Sequence, residues 1–321
     1  MRRADYVVKR VGAAILTTYV AVTVNFIIFR ALPGTAVTNM SHVPDSGLGL
    51  QRALAREFGL NHSLLTQYGL YLWQLLHLNL GVSFDNQQPV VSNLATDLLN
   101  SIPMVTLATV FSVLLGIATG VIAAWRRDTA LEHVSVVPAL GFYATPVQWL
   151  GMIIIILFSS YLPTTGRTDP YLINPTFIQH WADVMEHMLL PSLTLGLVLY
   201  GQYTLIVRSA MLETMGEDYV LTAKAIGYSN GRIVRRFAFR NAMLPVVSVI
   251  ALSLGFIVGG AILVETVFNW PGIGYAVYQA VLERDYPMLQ GAFLLLTVSV
   301  IVCNLLADLV YFKLDPRISA R

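Results

Sequence analysis

Charge is what this 321-residue chain lacks most: Asp, Glu, Lys and Arg make up only 12% of it, against 56% hydrophobic residues. Soluble globular proteins are about a quarter charged, and the mean hydropathy of +0.65 points away from them as well. A compact soluble domain of this size leaves many of these apolar side chains with no interior to fill. An ordinary cytosolic enzyme and a disordered tail are therefore excluded. Cysteine is nearly absent too: Cys303 stands alone in an apolar run, which excludes an intrachain disulfide scaffold. A net charge of +2 is too small to point to nucleic acid.

Several chemistries are missing as well. Each of the three lysines follows a residue other than glycine (Val8, Ala223 and Phe312), so there is no P-loop and no ATP hydrolysis by that route. No H-E-x-x-H occurs, and the six histidines lack close metal-ligand spacing. His180 and His187, with Asp183 and Glu186 nearby, read as a wet interfacial helix with paired charges. No metal site and no cofactor of the chain's own are expected. A proton-coupled carrier or membrane enzyme places carboxylates inside its spans. Here the spans hold none, and Glu265 and Asp308 sit at their edges.

What is present is long apolar runs. A bilayer core about 30 Å thick takes about 20 apolar residues in helix. Six charge-free stretches meet that requirement: Val11–Phe29, Leu98–Trp125, His133–Gly166, His187–Val207, Asn241–Val264 and Tyr286–Ala307. Arg2, Arg3, Lys9 and Arg10 precede the first like a signal peptide, but Arg30-Ala31-Leu32-Pro33-Gly34 follows instead of a cleavage site, so a retained helix is expected. A seventh charge-free stretch, Phe58–Phe84, is broken by Asn61, His62, Gln67, Gln74, His77 and Asn79, and reads as an amphipathic helix on the membrane surface.

Cation placement tests this choice, because Lys and Arg favour the cytoplasmic side. Six spans with both termini in the cytoplasm put fifteen of the 20 cations inside; counting Phe58–Phe84 as a span leaves six there. The expected architecture is an all-α polytopic membrane protein, one transmembrane domain over residues 1–321. Its external segment covers about residues 31–97, its large cytoplasmic loop about 208–240, and another external loop about 265–285. Gly116-x-x-x-Gly120 and Gly255-x-x-x-Gly259 read as helix-packing seams. Asn25, Gln148, Gln202, Tyr203 and Ser248 are candidates for an uncharged pathway lining.

The 208–240 loop is the unusual part. It contains D-Y-V-L-T-A-K-A-I-G from Asp218 to Gly227, and R-I-V-R-R-F-A-F-R-N-A-M-L-P ending at Pro245. Two short helices joined by a turn at Gly227–Gly231 are expected. Thr222, Ala223, Ala225 and Gly227 offer a face with little side chain where another protein approaches closely; an amphipathic interfacial helix is the other reading.

This stretch resembles the EAA loop of permease subunits of ABC importers. Leu221-Thr222-Ala223 stands where the general pattern has E-A-A, a departure similar to the peptide/nickel permease branch. Arg30–Gly34, Asn79–Ser83, Glu265–Gly274, Arg284–Pro287 and the terminal Asp308 to Arg317 resemble motifs of the same branch, in order along the chain. The resemblance implies a type I importer permease fold in a prokaryotic inner membrane. It implies a second permease, two ATP-binding subunits that hold ATP and Mg, and an external protein that delivers oligopeptides or dipeptides. This chain is similar to the first permease, with the long external segment.

Coupling to the ATPase then falls on Asp218, Tyr219, Thr222, Ala223, Ala225 and Gly227. A pathway-mouth or binding-protein contact falls on Glu265, Asn269, Trp270, Pro271 and Gly272, whose other reading is a rigid supporting turn. Nickel, glutathione or haem as cargo fits the same architecture. A membrane scaffold or membrane enzyme is the remoter alternative.

Overall fold

The computed structural model describes residues 3–31, 62–243, 246–247, 249–250 and 261–314. Among them every element is helical, apart from one isolated bridge between Val82 and Pro89. The helices are α1 (Arg3–Ala31), α2 (Leu64–Leu76), α3 (Val90–Trp125), α4 (Ala130–Ala144), α5 (Val147–Phe158), α6 (Phe177–Met215), α7 (Asp218–Ala225), α8 (Ile262–Val267), α9 (Ile273–Glu283) and α10 (Tyr286–Leu314). A helical turn at Asn230–Arg232 passes into a π-helical stretch, Ile233–Ala238, between α7 and α8.

Among the described residues four helices are long and apolar enough to cross a membrane: residues Val7–Phe29 of α1, all of α3, all of α6, and Tyr286–Leu306 of α10. The stretch read as the third span is instead two helices, α4 and α5, meeting at 107°. The break follows from Pro146. A residue before proline is pushed out of the helical region, and Thr145 is extended there, its hydroxyl donating to Gly141 O at 2.7 Å. Helix α2, with 13 residues, is too short to cross at 1.5 Å per residue. The fifth stretch, Asn241–Val264, falls largely outside the described residues, as do Ser248, Gly255 and Gly259.

The chain divides into two compact units. In the first, formed by residues 1–99 and 272–321, α1 packs along α10. Asn25 Nδ2 donates to Gln290 O at 3.1 Å, and Arg10 pairs with Asp308 at 2.9 Å. Helix α2 sits on α1 through Tyr68, which shares a 2.7 Å hydrogen bond with Thr23, and through Phe26 against the rings of Tyr68 and Tyr71. Burial pushes the Tyr71 phenol up to about 12. Leu65, Trp73 and Leu76 of α2 remain exposed, as an amphipathic surface helix requires.

In the second unit, Asn100–Pro271, α6 is the centre. A capping box of Thr176 and Gln179 starts it, and it runs 39 residues through Pro191. Glycine brings its neighbours to backbone distance. A Cβ added to Gly116 of α3 lies 2.5 Å from Tyr203 Cβ, and one on Gly120 lies 2.7 Å from Val207 Cβ. Tyr203 is thereby packed into this seam, not a free wall. Gly201 of α6 lies equally close to α4: a Cβ there lies 2.2 Å from Ala139 O. Met104, Ala108, Leu150, Ile154, Met188, Leu195, Val264 and Phe268 belong to one core cluster of this unit, and Val207 to another with Ala210 and Met211.

Because Gly201 faces backbone, which yields little, Gly201→Val should destabilise by at least the roughly 1–3 kcal/mol of an overpacked core. Gly141→Ala, on open space, should be neutral or stabilising. Thermal unfolding in detergent checks both, and equal midpoints for the Gly201 variant and the parent would show that α4 and α6 do not meet there.

Candidate functional site

The segment after α6 forms as expected, two helical pieces around a turn. Helix α7 has Asp218 in its first turn and Lys224 in its last, both favourable to the helix dipole. It closes with a Schellman arrangement: Tyr228 N donates to Ala223 O at 3.2 Å and Gly227 N to Lys224 O at 3.0 Å. Gly227 holds φ +91, where glycine is favoured. A Cβ added at Gly227 meets nothing of this chain within 4 Å, so within the chain this glycine serves the turn.

One side of α7 is already used. Val220 and Ala223 are buried with Ile233 and pack on Phe237. Val234 and Ala238 of the π-helical stretch pack in turn with Val207, Ala210 and Met211 of α6. Ala223 therefore leaves the expected docking face and belongs to the internal one, because it is three residues from Val220 and shares its side of the helix. Tyr219 is exposed, and its hydroxyl accepts from Asn241 Nδ2 at 2.7 Å. The open face is Asp218, Leu221, Thr222, Ala225 and Ile226, with Ile226 72% exposed. Leu221 and Ile226 are apolar groups that the reading as a small-residue face leaves out.

Gly227–Gly231 spells G-x-S-x-G, the letters of a nucleophile elbow. That elbow needs a strand before its serine. A helix precedes Ser229 here, and Ser229 is the N-cap of the turn Asn230–Arg232.

The Glu265–Gly272 turn is built in the opposite way, with its polar groups turned inward. Glu265 is fully buried, and its Oε1 accepts from Ser101 Oγ at 2.6 Å. Trp270, also buried, donates its backbone N to Glu265 O at 2.8 Å and its Nε1 to Asn100 O at 3.1 Å. Asn100 Nδ2 returns a bond to Pro271 O at 2.7 Å. Gly166 N donates to Phe268 O at 2.9 Å. Glu265 and Trp270 thus hold the turn and present no surface. Gly272 is buried as the N-cap of α9, Pro271 is half-buried, and Asn269, at φ 47, is exposed.

A matching knot lies in the first unit. Asp285, also buried, accepts through Oδ2 from Ser83 Oγ at 2.5 Å and Phe84 N at 3.0 Å, and through Oδ1 from Met288 N at 3.1 Å. One carboxylate thereby caps α10 and anchors the segment after α2. Glu283 beside it is raised above the ordinary carboxylate range, by burial first and then by Asp85 and Asp285. Asn100, Ser101 and Ser83 are the supporting residues that composition alone passes over. For Asn100 and Ser101 the signal is a polar pair at the head of an apolar run; Ser83 stands before a polar stretch and has no such signal. His187 bonds to Asp183 at 3.2 Å, and among the described residues no group of three or more His, Cys, Asp and Glu is placed to hold a metal.

A family model described as binding-protein-dependent transport system inner membrane component matches residues 116–320. The chain is 34% identical over 336 residues to the dipeptide transport system permease protein DppB of Escherichia coli (strain K12), covering 98% of both chains. It is 32% identical to the di/tripeptide transport system permease protein DppB of Pseudomonas aeruginosa (strain UCBPP-PA14), again over 98% of both. The glutathione transport system permease protein GsiC of Escherichia coli O6:H1 is 32% identical, also over 98% of each chain.

Removing Ser101 Oγ takes a donor from a buried carboxylate, so Ser101→Ala should cost about 1–3 kcal/mol. Asn269→Gly, which keeps the left-handed backbone at an exposed position, should change stability by about 0.5 kcal/mol or less. Denaturant or thermal unfolding of the purified protein distinguishes the two.

Proposed function

The chain belongs to the family of binding-protein-dependent transport system inner membrane components, and from that premise we propose how it works. It is a multi-pass permease subunit of an ABC peptide importer in the bacterial inner membrane; the full-length likeness to dipeptide permeases carries this reading. The permease itself is a transport component, not a catalyst. ATP and Mg bind to two partner subunits, in keeping with a sequence without a P-loop. A second, homologous permease completes the pathway, and an external binding protein delivers the cargo. The chain crosses six times with both termini in the cytoplasm, the arrangement that the cation distribution supports. Residues 1–321 form one permease domain, whose two compact units share α3.

In this reading α7 and its turn dock on an ATP-binding subunit. What supports it is the division of α7 into two faces: Val220 and Ala223 attach it to the chain, and Asp218, Leu221, Thr222, Ala225 and Ile226 remain free for a partner. Asn269, with the edge of Pro271, is the part of the Glu265–Gly272 turn left to meet the binding protein. Glutathione, itself a tripeptide, is a second cargo that the 32% identical glutathione permease favours. Titrating the cognate binding protein with dipeptides and with glutathione decides between them.

Two outcomes test the roles. Gly227→Asp adds a charge beside the docking face and strains the left-handed turn that closes α7, with no clash inside the chain. It should abolish transport and substrate-stimulated ATPase activity while leaving the permease in the membrane; normal transport would refute the coupling role. A photocrosslinker at Asn269 should capture the binding protein in at least one nucleotide state, and no capture in any state would remove the contact role.

A further inference from the structure

Helices α4 and α6 are joined by three ties on one face of α4, at Glu132, Ser135 and Ala139. Ala139 meets Gly201 at backbone distance, and Tyr200 Oη donates to Ser135 O at 3.3 Å. The third tie is ionic. Arg208 Nε donates to Glu132 Oε1 at 3.0 Å, and Nη2 reaches the same oxygen. The other carboxylate oxygen, Oε2, accepts from Asp128 N at 2.6 Å. Glu132 is buried, at the third position of α4, and reaches back past the N-cap Thr129, whose hydroxyl donates to Arg126 O and makes no capping bond to α4. It therefore closes the start of α4 and holds Arg208 with the same carboxylate.

This pair has a particular place along the chain. Arg208 lies on the last turns of α6, next to Val207, Ala210 and Met211, the residues that hold the π-helical stretch and, through Ile233, α7. On the other side Glu132 belongs to the arm of the bent pair that leads to Pro146 and α5. Of the three ties this one is ionic, and two charge-assisted bonds to a backbone-anchored carboxylate add directional restraint to the packing at Ala139 and Ser135. We propose that Glu132 and Arg208 are a positioning pair that makes the bent α4–α5 span follow α6 when α7 is pushed by its ATPase. The proposal rests on the docking role of α7 given above.

The test uses the whole importer in proteoliposomes, with both permeases, both ATPase subunits and dipeptide-loaded binding protein, and reads peptide transported per ATP hydrolysed. Glu132→Gln and Arg208→Gln should each lower that ratio about fivefold or more in complexes that remain assembled. The double variant should lose no more than either single one. A wild-type ratio in a single variant, or losses that multiply, would overturn the proposal. In a Cys303→Ser background, Glu132→Cys with Arg208→Cys replaces the pair by two thiols. A short reducible bis-thiol crosslinker should then restore the ratio, and reduction should lower it again. Equal ratios before and after crosslinking would overturn the proposal even where the glutamine variants fail to assemble. Failure of the unmodified complex to transport any peptide would instead count against the importer reading itself.

Discussion

Helix α6 can touch its neighbours backbone to backbone only because glycine stands at each crossing, and the second unit is arranged around that closeness. In a lipid environment apolar side chains gain little by leaving the solvent for each other, so helix association rests on close van der Waals contact and hydrogen bonds. Gly116 and Gly120 bring α3 to Tyr203 and Val207, and Gly201 brings α6 to Ala139. Gly151 of α5 similarly receives Val267 and Phe268. The 39-residue length of α6 lets one element reach from the core around Phe268 to the anchor of α7.

The second constraint is polar satisfaction. Long helices meet it locally: Thr17, Thr18, Thr23, Thr119 and Thr297 each donate to the carbonyl four residues back. Where the backbone leaves the helix, a buried carboxylate takes over. Glu265 and Asp285 each sit beside a turn and collect donors from distant sequence, Ser101 in one case and Ser83 in the other. Irregular backbone next to a membrane is tolerated where protein supplies such partners. Both turns are therefore held by bonds from within the chain itself.

Much of this was legible beforehand, for physical reasons. Length and apolarity are enough to mark α1, α3, α6 and α10, because a bilayer demands both. The α7 turn was readable because Gly227 needs a left-handed backbone and follows a helix-forming run. The 107° bend was less readable: His133–Gly166 carries no Asp, Glu, Lys or Arg and is mostly apolar, and hydropathy does not register that Pro146 stops a helix. The small-residue face leaves Ala223 open and the Trp-Pro-Gly motif leaves Trp270 either a contact or a supporting residue, whereas their burial depends on Ile233 and Asn100, contacts to which local patterning is blind. Ion pairs such as Glu132 with Arg208 join residues 76 apart, and no local pattern specifies them.

The glycine crossings also decide where the chain is vulnerable to mutation. Side chains such as Leu16, Ile28, Leu114 and Ile156 are more than half exposed, and exchange among Leu, Ile and Val there changes little. At Gly116, Gly120 and Gly201 even a single methyl group collides with a neighbouring helix. Drift is thus inexpensive over most of the surface and severe at a few positions. A permease built this way tolerates wide divergence in sequence while its helix spacing stays fixed, with a small mutational target for loss of assembly.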